Sequence, residues 1–143
     1  MAWLRHSLLA LSLLWALPAQ ADAITTIYVQ DIPLEVEVAD NLIERTRGMM
    51  YREQWEPIDG MLFVFPEPHF ARMWMKNTPL AMDILFIGED GAVLSFVENA
   101  VPYSEAILDG APETKYALEL PAGFVAKHGL KKGDEIRISH SGD

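Results

Sequence analysis

Short apolar runs separated by turn residues constrain the fold of this chain more than any other feature of its sequence. The runs occupy residues 60–65 (GMLFVF), 71–75 (ARMWM), 82–88 (MDILFIG), 92–98 (AVLSFVE) and 115–120 (KYALEL). Each is shorter than an average helix, and most are bounded by glycine, proline or acidic residues, which is the pattern of β-strands. The chain is therefore expected to fold mainly as β-sheet.

Further strands are predicted near both ends of this region. Residues 25–29 are β-branched and aromatic, and residues 34–38 alternate leucine or valine with glutamate, which is typical of a half-buried strand. A last strand follows the turn at Lys132 and Gly133. Strands thus outnumber helices, and we expect a compact, mainly antiparallel β sandwich or barrel-like single domain with one or two short helices.

Two segments carry helical patterns instead. Asn41 is a good N-cap with Glu44 three residues later, so a helix is predicted from about Leu42 to Tyr51. Gly48 within it lowers helix propensity, which indicates a position of close packing. A second, short helix is predicted to begin near Pro121 and to end at Gly129. Residues 99–114, rich in proline, glycine, serine and acids, are expected to form a long loop.

The first 21 residues have the composition of a secretory signal peptide. Arg5 and His6 precede an apolar stretch from Leu8 to Leu17, and Ala19-Gln20-Ala21 has the small-x-small pattern of a cleavage site. The apolar stretch is shorter than the roughly 20 residues that a membrane span needs. We therefore expect cleavage near Ala21, a single mature domain at 22–143 without a membrane span, and a periplasmic or secreted location.

The charge and the absence of cysteine exclude several classes of function. The net charge is −10, which disfavours nucleic acid and anionic lipid as partners. A chain with no cysteine has no disulfide, no thiol nucleophile and no thiolate metal site. A histidine and two methionines, His69, Met73 and Met75, have a copper-like order, but methionine is also an ordinary core residue. We therefore predict neither a metal nor a cofactor.

The stretch RMWMKNTPLAMDILFI contains the strongest candidate site residues. Lys76 and Asn77 interrupt an apolar run after Trp74, and Asp83 stands alone in the next run. A turn at Thr78 and Pro79 is expected to bring Asp83 back to Lys76. The two then form either a structural ion pair or a binding or catalytic pair in which the acid orients the lysine.

Three arginines close together form a second candidate group. Arg45, Arg47 and Arg52 lie within eight positions of a chain poor in basic residues. They either pair with surface acids or provide guanidinium groups for a carboxylate, phosphate or sugar acid. Arg47 and Arg52 are the residues that we expect at the rim of an opening lined by Lys76. An acid pair of Asp83 with Glu119 is conceivable, but any two of the 21 acids can be combined in this way.

Several ordered motifs resemble the domain-of-unknown-function 192 family. They are RTRGMMYR, DGMLFVF, WMKNT with MDILFI after it, YALELPAG and GDEI, which together extend from about residue 25 to 139. Met73 and Ala81 replace the phenylalanine and proline that are usual in the family. The resemblance implies a compact, mainly β domain, often exported, and it implies no established activity.

These observations lead to one hypothesis and two alternatives. The hypothesis is an exported domain that binds a small polar or anionic ligand near Trp74, Lys76, Asn77 and Asp83, with Arg47 and Arg52 at the rim. The first alternative is an enzyme that uses Asp83 or Lys76 as acid or base. The second is an accessory module that binds an envelope partner and takes no ligand.

Overall fold

The computed structural model of the protein describes residues 23–139, and most of its regular structure is β-strand. The strands are β1 (Ile24–Val29), β2 (Ile32–Ala39), β3 (Gly60–His69), β4 (Arg72–Met73), β5 (Met82–Ile87), β6 (Val93–Ala100), β7 (Leu108–Asp109), β8 (Thr114–Pro121) and β9 (Ile136–Ile138). The helices are α1 (Leu42–Arg47) and α2 (Phe124–His128). The mainly β prediction is confirmed.

Seven strands form one curled sheet in the order β6-β5-β8-β3-β2-β1-β9. All neighbours are antiparallel except β2 and β3, which run parallel because α1 and the segment after it carry the chain back across the sheet. β4 and β7 form a separate two-stranded ribbon. The segment 99–114, which was expected to be a long loop, contributes the end of β6, all of β7 and the first residue of β8.

The two faces of the large sheet pack against different parts of the chain. The face that we call the α2 face carries Leu85, Leu118 and Leu120, and α2 covers it with Val125. The opposite face, which we call the pocket face, carries a second apolar cluster that continues into residues 49–58 and 71–82. Successive side chains of a strand point to opposite faces of the sheet. A change of one residue in the pairing register would therefore move a side chain from one cluster to the other.

The two outermost strands of the sheet meet at one corner. Ala92, just before β6, forms a bridge with Glu135, just before β9. The amide of Val93 donates to the carbonyl of Asp134 at 2.9 Å, and the amide of Ile136 donates to the carbonyl of Gly91 at 2.9 Å. The sheet is therefore partly closed, as a barrel-like fold requires.

One helix prediction is wrong in its extent. The first helix ends at Arg47, and Gly48 is its C-cap, so the helix does not continue to Tyr51. Asn41 does cap it, since its side chain accepts a hydrogen bond from the amide of Glu44. The second helix ends at His128 and is capped by Gly129 as predicted, but it begins at Phe124, because Pro121 is the last residue of β8. The predicted signal peptide, residues 1–21, lies outside the described residues, and within residues 23–139 no helix has the length and apolarity to cross a bilayer.

Candidate functional site

A pocket of about 250 Å³ opens on the pocket face, between the end of α1, the ribbon strand β4 and the central strand β8. At roughly 30 Å³ per water in the liquid, this volume corresponds to about eight waters, which suits a small molecule. Its lining is Arg45, Thr46, Arg47, Gly48, Met49, Met50, Phe63, Arg72, Met73, Trp74, Thr78 and Glu119. The pocket therefore combines three arginines and one acid with thioether and aromatic walls.

Gly48 shapes the wall of the pocket where α1 ends. Its φ of +46° belongs to a region that side chains with a Cβ rarely adopt, and a Cβ built there would lie 2.9 Å from Cζ of Phe63. The chain thus turns sharply over Phe63 and buries Met49 beneath the helix end. This turn, rather than a longer helix, places Arg47 beside the pocket.

Two of the arginines that line the pocket, Arg45 and Arg72, are held by oxygen atoms from different parts of the chain. Arg45 donates from Nη1 to the carbonyl of Val64 at 2.9 Å and also to the carbonyl of Asp40. Arg72 is exposed on β4, with Nε 3.4 Å from Oδ1 of Asp109 on β7. Arg45 therefore fixes α1 to the sheet, whereas Arg72 remains at the solvent side.

Glu37 on β2 holds Arg47 and Arg52, the other two arginines that were predicted from the sequence. Arg52 donates from Nη2 to Oε1 of Glu37 at 2.5 Å, and Nη2 of Arg47 lies 3.8 Å from the same oxygen. Glu37 is buried, while nearly half of the Arg47 side chain is exposed. Arg52 thus neutralises and fixes the acid, and the acid in turn fixes Arg47 at the pocket.

A row of directly opposed residues crosses four strands on this face. Glu37 of β2 pairs with Met61 of β3, Met61 pairs with Glu119 of β8, and Glu119 pairs with Ile84 of β5. Two glutamates therefore lie on the same face, two strand spacings or about 10 Å apart at Cα. Glu37 has its arginine partners, whereas Glu119 forms no ion pair within the described part of the chain.

Glu119 is the acid of the pocket and has an unusual environment. The residue is 4% exposed, and its Oε2 is buried without a hydrogen-bond partner. Burial raises the pKa of Glu119 from its ordinary value of 4.5 to about 8, because the apolar surroundings disfavour the charged form. The side chain is therefore a neutral carboxylic acid at pH 7 and can donate a hydrogen bond.

Lys76 and Trp74 lie together at the mouth of the pocket. The ammonium of Lys76 is 5.0 Å from the centre of the Trp74 ring and 3.5 Å from Oε1 of Glu105. This is the geometry of a cation–π contact at an exposed site. Trp74 lines the pocket, so Lys76 adds positive charge beside it.

Asn77 builds the turn that holds this mouth. Its φ of +53° is left-handed, a conformation that asparagine tolerates better than most residues. The amide of Thr78 donates to the carbonyl of Met75 at 3.1 Å across the turn, and the amide of Tyr51 donates to the carbonyl of Asn77 at 2.8 Å. Asn77 is thus next to the lining residue Thr78, but it acts through the backbone.

The structure does not bring Asp83 to Lys76. Asp83 pairs with Leu120 in the sheet and so projects from the α2 face, where it is fully buried. Its Oδ1 accepts from the amide of Asn99 and its Oδ2 from the amide of Val125, both at 2.8 Å. The carboxylate therefore joins α2 to an irregularity in the β5–β6 pairing, and the expected ion pair with Lys76 is not formed.

The six residues predicted to form a site are thus divided. Arg47 and Trp74 line the pocket, Lys76 lies against Trp74, and Asn77 and Arg52 support the wall through a turn and an ion pair. Asp83 and Glu119 occupy opposite faces, so they form no acid pair. Glu119 and Arg72 were missed as ligand-site residues, although an acid between two leucines of an apolar strand is a visible signal for Glu119.

A larger concavity of about 660 Å³ opens on the α2 face. Its charged lining residues are Asp40, Glu89 and Lys115, and the lysine donates to the carbonyl of Pro66 at 2.9 Å. Because these residues include both negative and positive charges, they do not favour one class of ligand. No group of His, Asp and Glu within residues 23–139 has the arrangement of a metal site.

Comparisons with known proteins identify a family and two similar solved structures. The model of the DUF192 family, described as "Uncharacterized ACR", matches residues 24–138. A solved structure from Sinorhizobium meliloti 1021, described as a candidate transcription regulator, is 42% identical, with a TM-score of 0.77 over 82% of this chain and 95% of that chain. A protein of unknown function from Novosphingobium aromaticivorans DSM 12444 is 33% identical, with a TM-score of 0.78 over 85% of this chain and 89% of that chain. No curated protein matches significantly.

Proposed function

Because the chain belongs to the DUF192 family, whose description assigns no activity, we propose its function from the geometry: the pocket binds a small organic anion. The observation that carries the proposal is the convergence of Arg45, Arg47 and Arg72 on one concavity in a chain of net charge −10. Guanidinium groups recognise carboxylates and phosphates through paired N–H donors. In so acidic a protein, three such groups in one pocket favour an anionic ligand.

The apolar walls support an organic anion rather than a bare inorganic one. Phe63, Met49, Met73 and Trp74 line the pocket together with the arginines. Small-molecule sites combine such walls with a few polar groups that fix orientation. The anionic end of the ligand is placed at Arg47, and its hydrocarbon part lies against the thioether and aromatic side chains.

Three other functions have less support from the geometry than the binding of an anion. An enzyme that uses Asp83 as acid or base needs an accessible carboxylate, but both oxygens of Asp83 already accept backbone hydrogen bonds. Lys76, the other residue of this alternative, is paired with Glu105 at 3.5 Å instead of with Asp83. Transcription regulation, the description of one relative, would require approach to a phosphate backbone, which the net charge disfavours. An accessory module that binds an envelope partner would not need a pocket lined by three arginines, so the pocket favours a ligand-binding protein.

We also propose that the protein works outside the cytoplasm. The support is the signal-peptide pattern of residues 1–21. Amino-terminal sequencing of the protein recovered from the periplasmic fraction is expected to begin at Asp22. A protein that retains Met1 and stays in the cytoplasmic fraction would contradict this location.

Calorimetric titration with benzoate tests the ligand class. Benzoate carries one carboxylate on a small apolar ring, and benzamide is its neutral counterpart. Replacing Arg47 with glutamine removes a charged donor, and we expect benzoate affinity to fall by about 10- to 100-fold, the usual effect of losing a charge-assisted hydrogen bond. Benzamide is expected to bind weakly to both proteins.

Arg137→Gln is the matched control for this experiment. Arg137 lies on β9, is about as exposed as Arg47, and pairs with Asp31 at 3.8 Å, away from the pocket lining. The Arg137→Gln substitution therefore removes the same charge but leaves the pocket unchanged. If both substitutions weaken benzoate binding equally, the effect comes from the overall charge of the protein. That result would contradict a binding site at Arg47.

A further inference from the structure

The buried acids of residues 23–139 differ in their partners. Asp83 accepts two backbone hydrogen bonds, and Glu37 is held by Arg52. Glu119 has neither kind of partner at Oε2, although it is as deeply buried and lies at a pocket that arginines line. Leaving a buried polar atom unpaired is costly. Because Glu119 also lines the pocket, its incompletely paired carboxyl group indicates a partner that the described part of the chain does not supply.

We propose that Glu119 is a proton-donating ligand residue: its neutral carboxyl group donates a hydrogen bond to the carboxylate of a small apolar monocarboxylic acid. The inference rests on the proposed function and narrows its ligand class. The carboxylate of the ligand then accepts from two kinds of donor, the guanidinium of Arg47 at the rim and the O–H of Glu119 at the floor. Hydrogen bonds between a carboxyl O–H and a carboxylate are among the short, strong ones.

The charges around Glu119 are consistent with this protonation state. α1 contributes Arg45 and Arg47 to the pocket, β4 contributes Arg72, and β2 carries Glu37 on the same face beyond one methionine. None of the three arginines forms an ion pair with Glu119, since they are held by other carbonyl or carboxylate oxygens. The neighbouring positions on β3 and β5 are apolar. Burial therefore dominates, and it raises the pKa to about 8.

This arrangement selects among anions. A monocarboxylate places one oxygen toward the arginine and the other toward the acid, and it has no further charge to be buried. A neutral amide can accept from Glu119 but gains no charge pairing with Arg47. Inorganic phosphate can accept from both, but it offers nothing to the walls formed by Trp74 and Met73.

The pH dependence of benzoate binding tests the proton. With the wild-type protein, we expect constant affinity from about pH 6, where benzoate is ionised, to about pH 8. Above that pH we expect a loss of about tenfold per pH unit, because two carboxylates would have to share the site. Glu119→Gln has nearly the same shape and keeps an N–H donor at every pH, so its affinity is expected to stay constant through the same range. Glu119→Leu lacks the donor and is expected to bind weakly throughout.

The outcomes separate the two proposals. Benzoate binding that depends on Arg47 but has the same pH profile in wild type and Glu119→Gln overturns the proton donor and leaves the anion site intact. Binding that is unaffected by Arg47→Gln overturns the anion site itself, and absence of benzoate binding at any pH overturns both. Tighter binding of inorganic phosphate than of benzoate would overturn the monocarboxylate class. Circular dichroism spectra like those of the wild type are the check that each variant is folded.

Discussion

At the residue scale, Asp83 and Glu119 show how environment decides what a lone acid does. Each stands in an apolar strand, and they lie on adjacent strands one register position apart. Asp83 projects from the α2 face, where two backbone amides need an acceptor. Glu119 projects from the pocket face, where Oε2 meets no donor. The first acid therefore supports the fold, and the second is the acid that we propose for ligand binding.

Replacing Glu119 with glutamine is expected to stabilise the protein in a pH-dependent way. The pKa of Glu119 is raised in the folded state, so folding is favoured below about pH 4.5, and this contribution is lost as pH rises toward 8. The variant has no such loss. Its advantage in the free energy of unfolding should grow from pH 4.5 to 8, to at most about 5 kcal/mol at 1.36 kcal/mol per pH unit.

Urea unfolding of both proteins at several pH values measures this difference. A constant difference between wild type and Glu119→Gln across the range would show that the acid titrates normally in the folded protein. The same result would contradict the neutral state on which its hydrogen-bond donation depends. Because glutamine keeps the size of the side chain, changes in packing contribute little to the comparison.

Replacing Asp83 with asparagine is expected to destabilise the protein without affecting the pocket. Asparagine offers one acceptor oxygen where two backbone amides, those of Asn99 and Val125, require acceptors. We expect a loss of about 1.5–3 kcal/mol in the free energy of unfolding. Asp90→Asn is the matched control, because Asp90 also accepts from a backbone amide but is exposed.

Benzoate titration of Asp83→Asn completes this test. The affinity for benzoate is expected to equal that of the wild type, since Asp83 lies on the other face of the sheet. Reduced affinity in a fully folded Asp83→Asn protein would place the acid at the ligand after all. That result would favour the arrangement predicted from the sequence.

At the element scale, the early end of α1 is what forms the pocket. The helix has only six residues and buries none of them, so its position depends on its ends rather than on an apolar stripe. Leu42 and Ile43, the apolar residues of its first turn, are more than 70% exposed. The asparagine cap fixes one end, and the turn at Gly48 over Phe63 fixes the other.

Replacing Gly48 with alanine is therefore expected to destabilise the protein and to weaken benzoate binding. A Cβ at this φ is strained, and it would also press on the ring of Phe63, so we expect a loss of about 1–3 kcal/mol. Gly133→Ala is the matched control, since Gly133 also has a positive φ but a Cβ there meets nothing within 4 Å. Equal losses in the two variants would mean that contact with Phe63 contributes nothing.

The strands could be predicted from the sequence because their pattern is local. The run at 82–88 and the alternation at 34–38 each carry their own period and turn signals, and both became strands. The end of α1 could not be predicted in this way, because it depends on an aromatic ring that comes from β3. The separation of Asp83 from Lys76 could not be predicted for a similar reason. The face of the sheet on which a side chain lies depends on pairing with strands that are distant in the sequence, and a local pattern does not contain that information.

At the scale of the whole molecule, the corner between β6 and β9 joins the two ends of the sheet. We expect the amide hydrogens of Val93 and Ile136 to exchange slowly, although both lie in the outermost strands, because each donates across the corner. Hydrogen exchange measured by NMR checks this. Exchange of both amides at the rate of an unstructured peptide would mean that the corner is open in solution.

A sheet with two open sides gives other chains unpaired backbone groups on which to add further strands. Here the backbone groups at the beginning of β6 and β9 are hydrogen-bonded across the corner. They are therefore not free to pair with a strand of a second molecule. For a protein that has no disulfide to restore its shape after partial opening, the corner is thus a safeguard against growth into fibres.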